Sequence, residues 1–353
     1  MSGQRGRNAG GGATGGDGAR PGRPTIRQVA EAAGVSVATV SRVFAGSAAV
    51  SAELTRRVHE AAGRLGYAPH VVAQSLASGR SNIIGILVPN LANPHFYSLI
   101  KYVLHDAARD GYQVLVADSD ESPAAERELG LSLLRRADGL ILSAPRSGPA
   151  TFREFVAEGR PVLMVDRKID DPVMSSVVVD AFGAMRDLLQ HLAGLGHEHL
   201  AYLHGPARSW QEQERWRAVR GFRRQGLRVD ELTATESLDD GRRVADEVLA
   251  TGCTAVAAYN DLAAISLVGA LAERGIRVPE DVSVTGYDDI PFGRFMAPPL
   301  TTVRAPQRDV AAAAWLAMRG LLEGQRPGAR TVLSAEPVIR RSTGAPRPAA
   351  GAR

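Results

Sequence analysis

Between Thr25 and Gly46 the apolar residues fall at helical spacing in two short blocks. Ile26, Val29, Ala30 and Ala33 form one stripe, and Val40, Val43 and Phe44 form a second. Steps of three and four residues put each set on one face of a helix. Thr25 stands before the first block with Gln28 three residues on, the arrangement of a capping box. Gly34, between the blocks, predicts a sharp turn, because glycine enters left-handed backbone space at no steric cost. Ser36 predicts the cap of a second helix running to about Phe44. Val37, Ala38, Thr39, Ser41 and Arg42 are then left near its start or on its outer side. Periodicity also allows Val37 into the core, three residues before Val40, and the pattern does not choose. A third block, Leu54, Val58, Ala61, Ala62 and Leu65, opens at Ser51 and closes at Gly66, which predicts a third helix walling a small core. Arg56, Arg57 and Arg64 on its other sides suit phosphate contacts and plain solvation equally.

The next stretch, residues 67–80 (YAPHVVAQSLASGR), has Pro69 to open a helix and Gly79 to end it. About two turns of isolated helix do not hold in water, since nucleation costs more than so few hydrogen bonds return. Yet Val71, Val72 and Leu76 have no polar face to hide behind. From Ser81 the pattern changes again. Continuous apolar runs of strand length occur at 82–89, 113–118, 138–143 and 161–166, then at 176–180, 199–204, 254–260 and 281–288, with helical stretches between them. Such alternation predicts parallel sheets covered on both faces, an α/β architecture. So many strands are better divided between two sheets than packed in one.

Length and charge sharpen this picture. The 353 residues suit two or three domains, and 44% hydrophobic with 23% charged residues is an ordinary globular composition. Residues 1–80 carry ten arginines and four acidic side chains, hence +6; with +4 overall, the remainder is −2. A basic front on a mildly acidic body is the footprint of a nucleic-acid reader. Residues 1–23 are glycine-rich, polar and aperiodic, and predict a disordered tail. Their basic residues lack an apolar segment behind them, so they predict no secretory signal. No apolar run reaches membrane-span length, and the single cysteine, Cys253, makes no internal disulfide. Together these place the expected chain in the cytoplasm.

The segment AxxAGVSVATVSRVFAG from Ala30 to Gly46 and the YxPxxxAxSL pattern from Tyr67 to Leu76 resemble the lactose-repressor (LacI/GalR) family of bacterial transcription regulators, and the likeness extends from Thr25 to about Ser342. The resemblance implies an N-terminal three-helix helix-turn-helix domain over 24–67 and a hinge helix over 68–80. An effector-binding and dimerisation domain over 81–342 follows, made of two Rossmann-like subdomains of the periplasmic-binding-protein type, with a tail at 343–353. It implies three crossings between the subdomains, with segments near 180–184 and 299–306 among them. A helix at 307–323 would then return to the first subdomain, with a last strand at 331–339. The hinge is expected to become helical only when two subunits meet on DNA, where Leu76 is levered into a base step from the minor groove.

The same resemblance assigns the DNA contacts to Thr25, Ser36, Val37, Ala38, Thr39, Ser41, Arg42 and Leu76. Arg42 reaches a guanine edge bidentately, Thr39 and Ser41 hold phosphates or the helix frame, and apolar Val37 and Ala38 touch thymine methyls. On the body, ligands of open parallel sheets bind beyond the carboxyl ends of the strands. Those ends carry Asn90, Asn93, His95, Phe96, Asp166, Arg167, Asp180, Trp210, Arg215, Asn260, Asp261, Asp288 and Asp289. Carboxylates, amides, an arginine and an aromatic platform match a polyhydroxylated ligand. Asn93, Phe96, Arg167, Trp210, Arg215, Asn260 and Asp288 are the expected effector residues. The family's arginine-to-glycine segment reads RWRA here, with Ala218 at the glycine, and Gly221 permits another register that selects Arg217 instead. Asn260 and Asp261 serve equally as helix caps.

Enzyme readings find little support. Residues 34–38, GVSVA, are one residue short of a nucleophile elbow and lie between helices rather than after a strand. His191, His197, His199 and His204 lack HExxH spacing or cysteine partners, so no metal and no cofactor is expected. The implied protein is a repressor whose affinity for a near-palindromic operator is set by a sugar or related polar metabolite. It would act as a homodimer, without membrane contact. The alternative is a solute-binding receptor for sugar transport, which the basic front disfavours.

Overall fold

A computed structural model describes residues 24–44, 50–67, 80–233 and 241–347. The expected tail at 1–23 and the hinge positions 68–79, with Leu76, lie outside the described residues. The chain divides into two compact units, residues 1–81 and 82–353.

The first unit holds α1 (Ile26–Ala33), α2 (Val37–Phe44) and α3 (Ala52–Leu65). Thr25 and Gln28 close the capping box, with the Thr25 backbone N–H donating to Gln28 Oε1 at 2.8 Å. Ser36 Oγ accepts from Thr39 N at 3.1 Å, and Ser51 caps α3. Gly34 takes φ 64° to turn the chain. Arg57 donates through Nη2 to the Ala33 carbonyl at 2.6 Å, so its charge satisfies the end of α1 rather than standing free. Val29, Val40, Val58 and Ala61 are fully buried and form the core, each valine contributing roughly 1.5–3 kcal/mol. Val37 is 42% exposed, which settles it on the outer side of α2. Leu65, expected on the inner face of α3, is 37% exposed at the helix end.

The second unit begins with a six-stranded parallel sheet of order β11-β5-β4-β3-β1-β2. Its strands are β1 (Ile83–Val88), β2 (Gln113–Asp118), β3 (Gly139–Ser143), β4 (Val162–Val165), β5 (Ser175–Val179) and β11 (Arg330–Leu333). Helices α4 (Pro94–Arg109) and α11 (Gln307–Leu322) cover one face through Leu99, Val103, Ala314 and Met318; α5 (Pro123–Leu134) and α6 (Pro149–Ala157) cover the other through Leu133, Phe152 and Phe155. Coverage stops at the β2 edge, where Leu115 and Val116 are each 38% exposed.

The second lobe carries a four-stranded parallel sheet of order β7-β6-β8-β9. It comprises β6 (His199–His204), β7 (Arg228–Thr233), β8 (Ala255–Ala258) and β9 (Ser283–Thr285), packed between α7 (Ala181–Gly194) with α8 (Trp210–Arg224) and α9 (Gly241–Thr251) with α10 (Asp261–Glu273). The chain passes between lobes after β5, through β10 (Thr302–Arg304) into α11, and again between β11 and β12 (Glu336–Val338). β10 and β12 pair antiparallel as a ribbon.

Three expectations change. The single strand predicted at 331–339 is two strands in different sheets. β7 was not predicted, because RVDELT is an edge strand with alternating polar positions. The chain also does not become a tail after Ser342. Ser342 is fully buried, its Oγ donates to Val284 O at 2.6 Å, and Gly344 N donates to Ser283 Oγ at 3.0 Å, so packing continues to Arg347 beside Asp281.

Candidate functional site

The carboxyl ends of both sheets face each other across a cavity of about 40 Å³, room for two or three waters. Three helix N-termini point at it. Asn93 caps α4 by accepting from His95 N at 3.0 Å, Ser209 caps α8 by accepting from Glu212 N at 3.3 Å, and Asn260 caps α10 by accepting from Ala263 N at 2.9 Å. Asn260 is thus a cap and a cavity wall at once. Behind it, Gly205 leaves space for the Tyr259 ring, which a Cβ would meet at 2.2 Å.

Backbone strain gathers at these strand ends. Asp120 and Glu121 after β2, Ala144 after β3, Asp166 after β4, and Asp288 and Asp289 after β9 all have positive φ. Each non-glycine residue held so costs of order 1–3 kcal/mol, and such residues cluster where a site is pre-organised.

The charges form one buried network. His95 Nδ1 lies 3.2 Å from Asp288 Oδ1 of the second lobe, and His95 Nε2 lies 3.7 Å from Asp166 Oδ2 of the first. Burial opposes the imidazolium, but Asp288 and Asp166 outweigh it and raise the His95 pKa above its ordinary value. Burial likewise raises Asp288, against the pull of His95 and Arg215. Arg215 donates through Nη1 to the Tyr259 carbonyl at 2.5 Å, and its Nη2 lies 3.8 Å from Asp288 Oδ1. Arg215 Nε, Asp166 Oδ1 and Ser143 Oγ are buried without a hydrogen-bond partner. Buried polar atoms are nearly always satisfied, and of these three residues Arg215 is the one that lines the cavity.

The structure brings Asn93, Phe96, Arg215, Asn260 and Asp288 together in the cavity wall. It leaves two expected residues out. Arg167 turns away, donating to Pro145 O at 3.2 Å with its guanidinium 5.2 Å from the Phe152 ring centre, where burial lowers its pKa. Trp210 opens α8 without reaching the cavity, whereas the next residue, Gln211, does. Of the competing arginines, Arg217 pairs with Glu214 at 2.6 Å and lies over the Phe182 ring, so Arg215 is the one in the cleft. Glu121, Arg146, Gln211 and Tyr259 were missed. Glu121 and Arg146 follow strand ends, so the rule that found Asn90 and Asp166 could have found them. The four histidines weighed as metal ligands have separate partners: His197 meets Thr254 and Gly344, His199 meets Asp230, His204 meets Glu212 and Glu231, and His191 meets Thr343.

On the first unit, Thr25, Ser36, Val37, Ala38 and Arg42 are exposed, and Thr39 and Ser41 are half-buried. All but Thr25 lie on or directly before α2, which thus presents an arginine, three hydroxyls and two small apolar groups.

Residues 25–70 match the family model described as bacterial regulatory proteins, lacI family, and residues 189–343 match the periplasmic binding protein-like domain. The HTH-type transcriptional regulator DegA of Bacillus subtilis (strain 168) is 31% identical over 91% of this chain and 98% of its own length. The ribose operon repressor of the same organism is 32% identical over 88% and 94%. Among solved structures, the lac repressor dimer bound to operator and the anti-inducer ONPF superimposes with a TM-score of 0.81. It is 30% identical, covering 91% of this chain and 99% of that one. A transcriptional regulator CelR–cellobiose complex has a TM-score of 0.68 at 28% identity, covering 91% and 100%.

Proposed function

We propose how this chain, which belongs to the lacI family of bacterial regulatory proteins and is a DNA-binding transcription regulator, is switched by a small molecule. A sugar or related polar metabolite enters the cleft between the two lobes and changes their closure, and operator affinity changes with it through that coupling. The observation that carries this reading is the His95, Asp166, Asp288 and Arg215 network. It joins one lobe to the other and leaves Arg215 Nε and Asp166 Oδ1 without a hydrogen-bond partner. Residues of both lobes line the cavity, so a ligand held there couples to their relative position.

Asn93, Phe96, Arg215, Asn260 and Asp288 contact the effector. Ser36, Val37, Ala38, Thr39, Ser41 and Arg42 meet DNA, with Thr25 anchoring the first helix beside it. Leu76 wedges the minor groove. Two copies bind a pseudo-palindromic operator with half-sites about one helical turn apart, in the cytoplasm and as a repressor. The ribose operon repressor and the cellobiose-bound regulator support a sugar as the effector class, and the lac repressor dimer on its operator supports the dimer. No helix among the described residues is long and apolar enough to cross a membrane. A head matching regulators favours this reading over a transport receptor or an enzyme on the same body.

The test is a metabolite panel scored by thermal shift and by operator release. A compound that does both supports the scheme, and compounds that stabilise the protein without altering operator affinity overturn it.

A further inference from the structure

Glu121 and Arg146 line the cavity from the first lobe, whereas Arg215 and Asp288 come from the second. The Arg146 side chain is 7% exposed. It donates through Nε and Nη2 to the two oxygens of the Glu121 carboxylate, the Nη2 bond measuring 2.9 Å, and through Nη1 to Ala144 O at 2.6 Å. The pair is held by a backbone carbonyl as well as by its own charges. Glu121 follows Asp120 in a second consecutive left-handed position, and Ala144 holds a third. Glu121 N donates to Pro89 O at 2.7 Å, and the Glu126 carboxylate receives the backbone N–H groups of Arg146 and Ser147 at 2.6 and 2.9 Å.

This geometry decides the charge an incoming molecule meets. Each cation of the wall already faces a carboxylate: Glu121 for Arg146, Asp288 for Arg215, and Asp288 with Asp166 for His95. The neighbouring Asn93, Gln211 and Asn260 are uncharged. A phosphate or carboxylate group would find no cation without a carboxylate beside it, and would meet Glu121 and Asp288 where like charges repel in a poorly solvated space. A hydroxyl meets no such penalty, since the N–H donors of Arg146 left over and the carboxylate lone pairs suit it.

We propose that the Glu121–Arg146 pair is a charge filter that confines the effector to uncharged polyhydroxylated molecules. This rests on the cleft being the effector site.

The full chain is titrated with D-ribose, D-glucose and cellobiose against ribose 5-phosphate, glucose 6-phosphate and gluconate, by calorimetry and thermal shift. Wild type is expected to prefer a neutral sugar over its charged counterpart by at least roughly tenfold. Glu121→Gln leaves Arg146 uncompensated and is expected to shift that ratio about tenfold toward the charged compounds. The uncharged pair Glu121→Gln with Arg146→Gln is expected to lose that shift, and it decides the matter with the wild-type ratio if the single variant melts too low to assay. Tighter binding of the phosphates by wild type overturns the filter and leaves the effector reading standing. An unchanged ratio in folded Glu121→Gln does the same. If neither set stabilises wild type, the filter falls, and the metabolite panel decides the effector reading by itself.

Discussion

The guanidinium carbon of Arg215 lies 3.7 Å from the centre of the Tyr287 ring, so the arginine is stacked as well as hydrogen-bonded. A planar, weakly hydrated cation suits this place, and a lysine ammonium would keep the charge but lose the stack. The pairing also explains how a second-lobe cation sits buried beside a carboxylate and a tyrosine without collapsing the cleft.

Removing the arginine leaves Asp288 with His95 as the cation beside it. Arg215→Met is expected to destabilise the second unit by about 3–5 kcal/mol, the usual cost of breaking one side of a buried ion pair. Arg215→Lys should lose less. Urea denaturation followed by tryptophan fluorescence checks this, and an unchanged midpoint for Arg215→Met would show that the network does not stabilise the body.

The His95 pKa is raised in the folded protein. Its contribution to stability is therefore fully present below the unfolded imidazole value of about 6.5, and is lost as pH rises through the higher folded value. His191 and His197 are lowered, chiefly by burial, and act in the opposite sense as pH falls, so the comparison has to isolate His95. The melting-temperature difference between wild type and His95→Gln should be larger at pH 6 than at pH 8. A difference that is flat or grows toward pH 8 contradicts the bridging imidazolium.

Gly34→Ala puts a Cβ at φ 64° and 2.9 Å from Arg57 Nη2. The arginine tip can move, but the backbone cannot, so a loss of roughly 1–2 kcal/mol is expected in the first unit alone. Thr25→Ala should cost about 0.5–2 kcal/mol there through loss of the capping box. Hydrogen exchange resolved by residue distinguishes these local losses from any change in the second unit.

Arg42 is exposed on α2. Arg42→Ala should leave the fold intact and weaken specific operator binding by roughly 1–3 kcal/mol while relaxing preference at one base position. A binding selection repeated with the variant measures both effects, and an unaltered sequence preference would remove Arg42 from the reading surface.

Much of the architecture was legible in the sequence, because its signals are local. Thr25, Gly34, Ser36, Ser51 and Gly66 punctuate the first unit through contacts within four residues, and continuous apolar runs announce parallel strands. What escaped depends on distance. β7 carries an edge strand's mixed pattern, and β11 and β12 part company because the chain crosses lobes between them. Ser342 to Arg347 look like a tail until Val284, Ser283 and Asp281 arrive from 58 to 66 residues earlier. At the site, strand-end chemistry located Asn93, Asn260 and Asp288. The choice of Arg215 over Arg217 needed the helix phase, and the turning away of Arg167 needed the Phe152 ring. Glu121 and Arg146 are joined across 25 residues, and nothing in either short segment announces the other.

On the proposed scheme the cleft governs the head without touching DNA. Fluorescence anisotropy of an operator duplex recovered by random-sequence selection, with wild type and Asp288→Asn, tests it most directly. Without effector the two proteins should bind the duplex alike. On adding the compound identified by the metabolite panel, wild-type affinity should change by about tenfold or more while Asp288→Asn stays put. Equal responses from both proteins, or no recoverable operator for wild type, would contradict it.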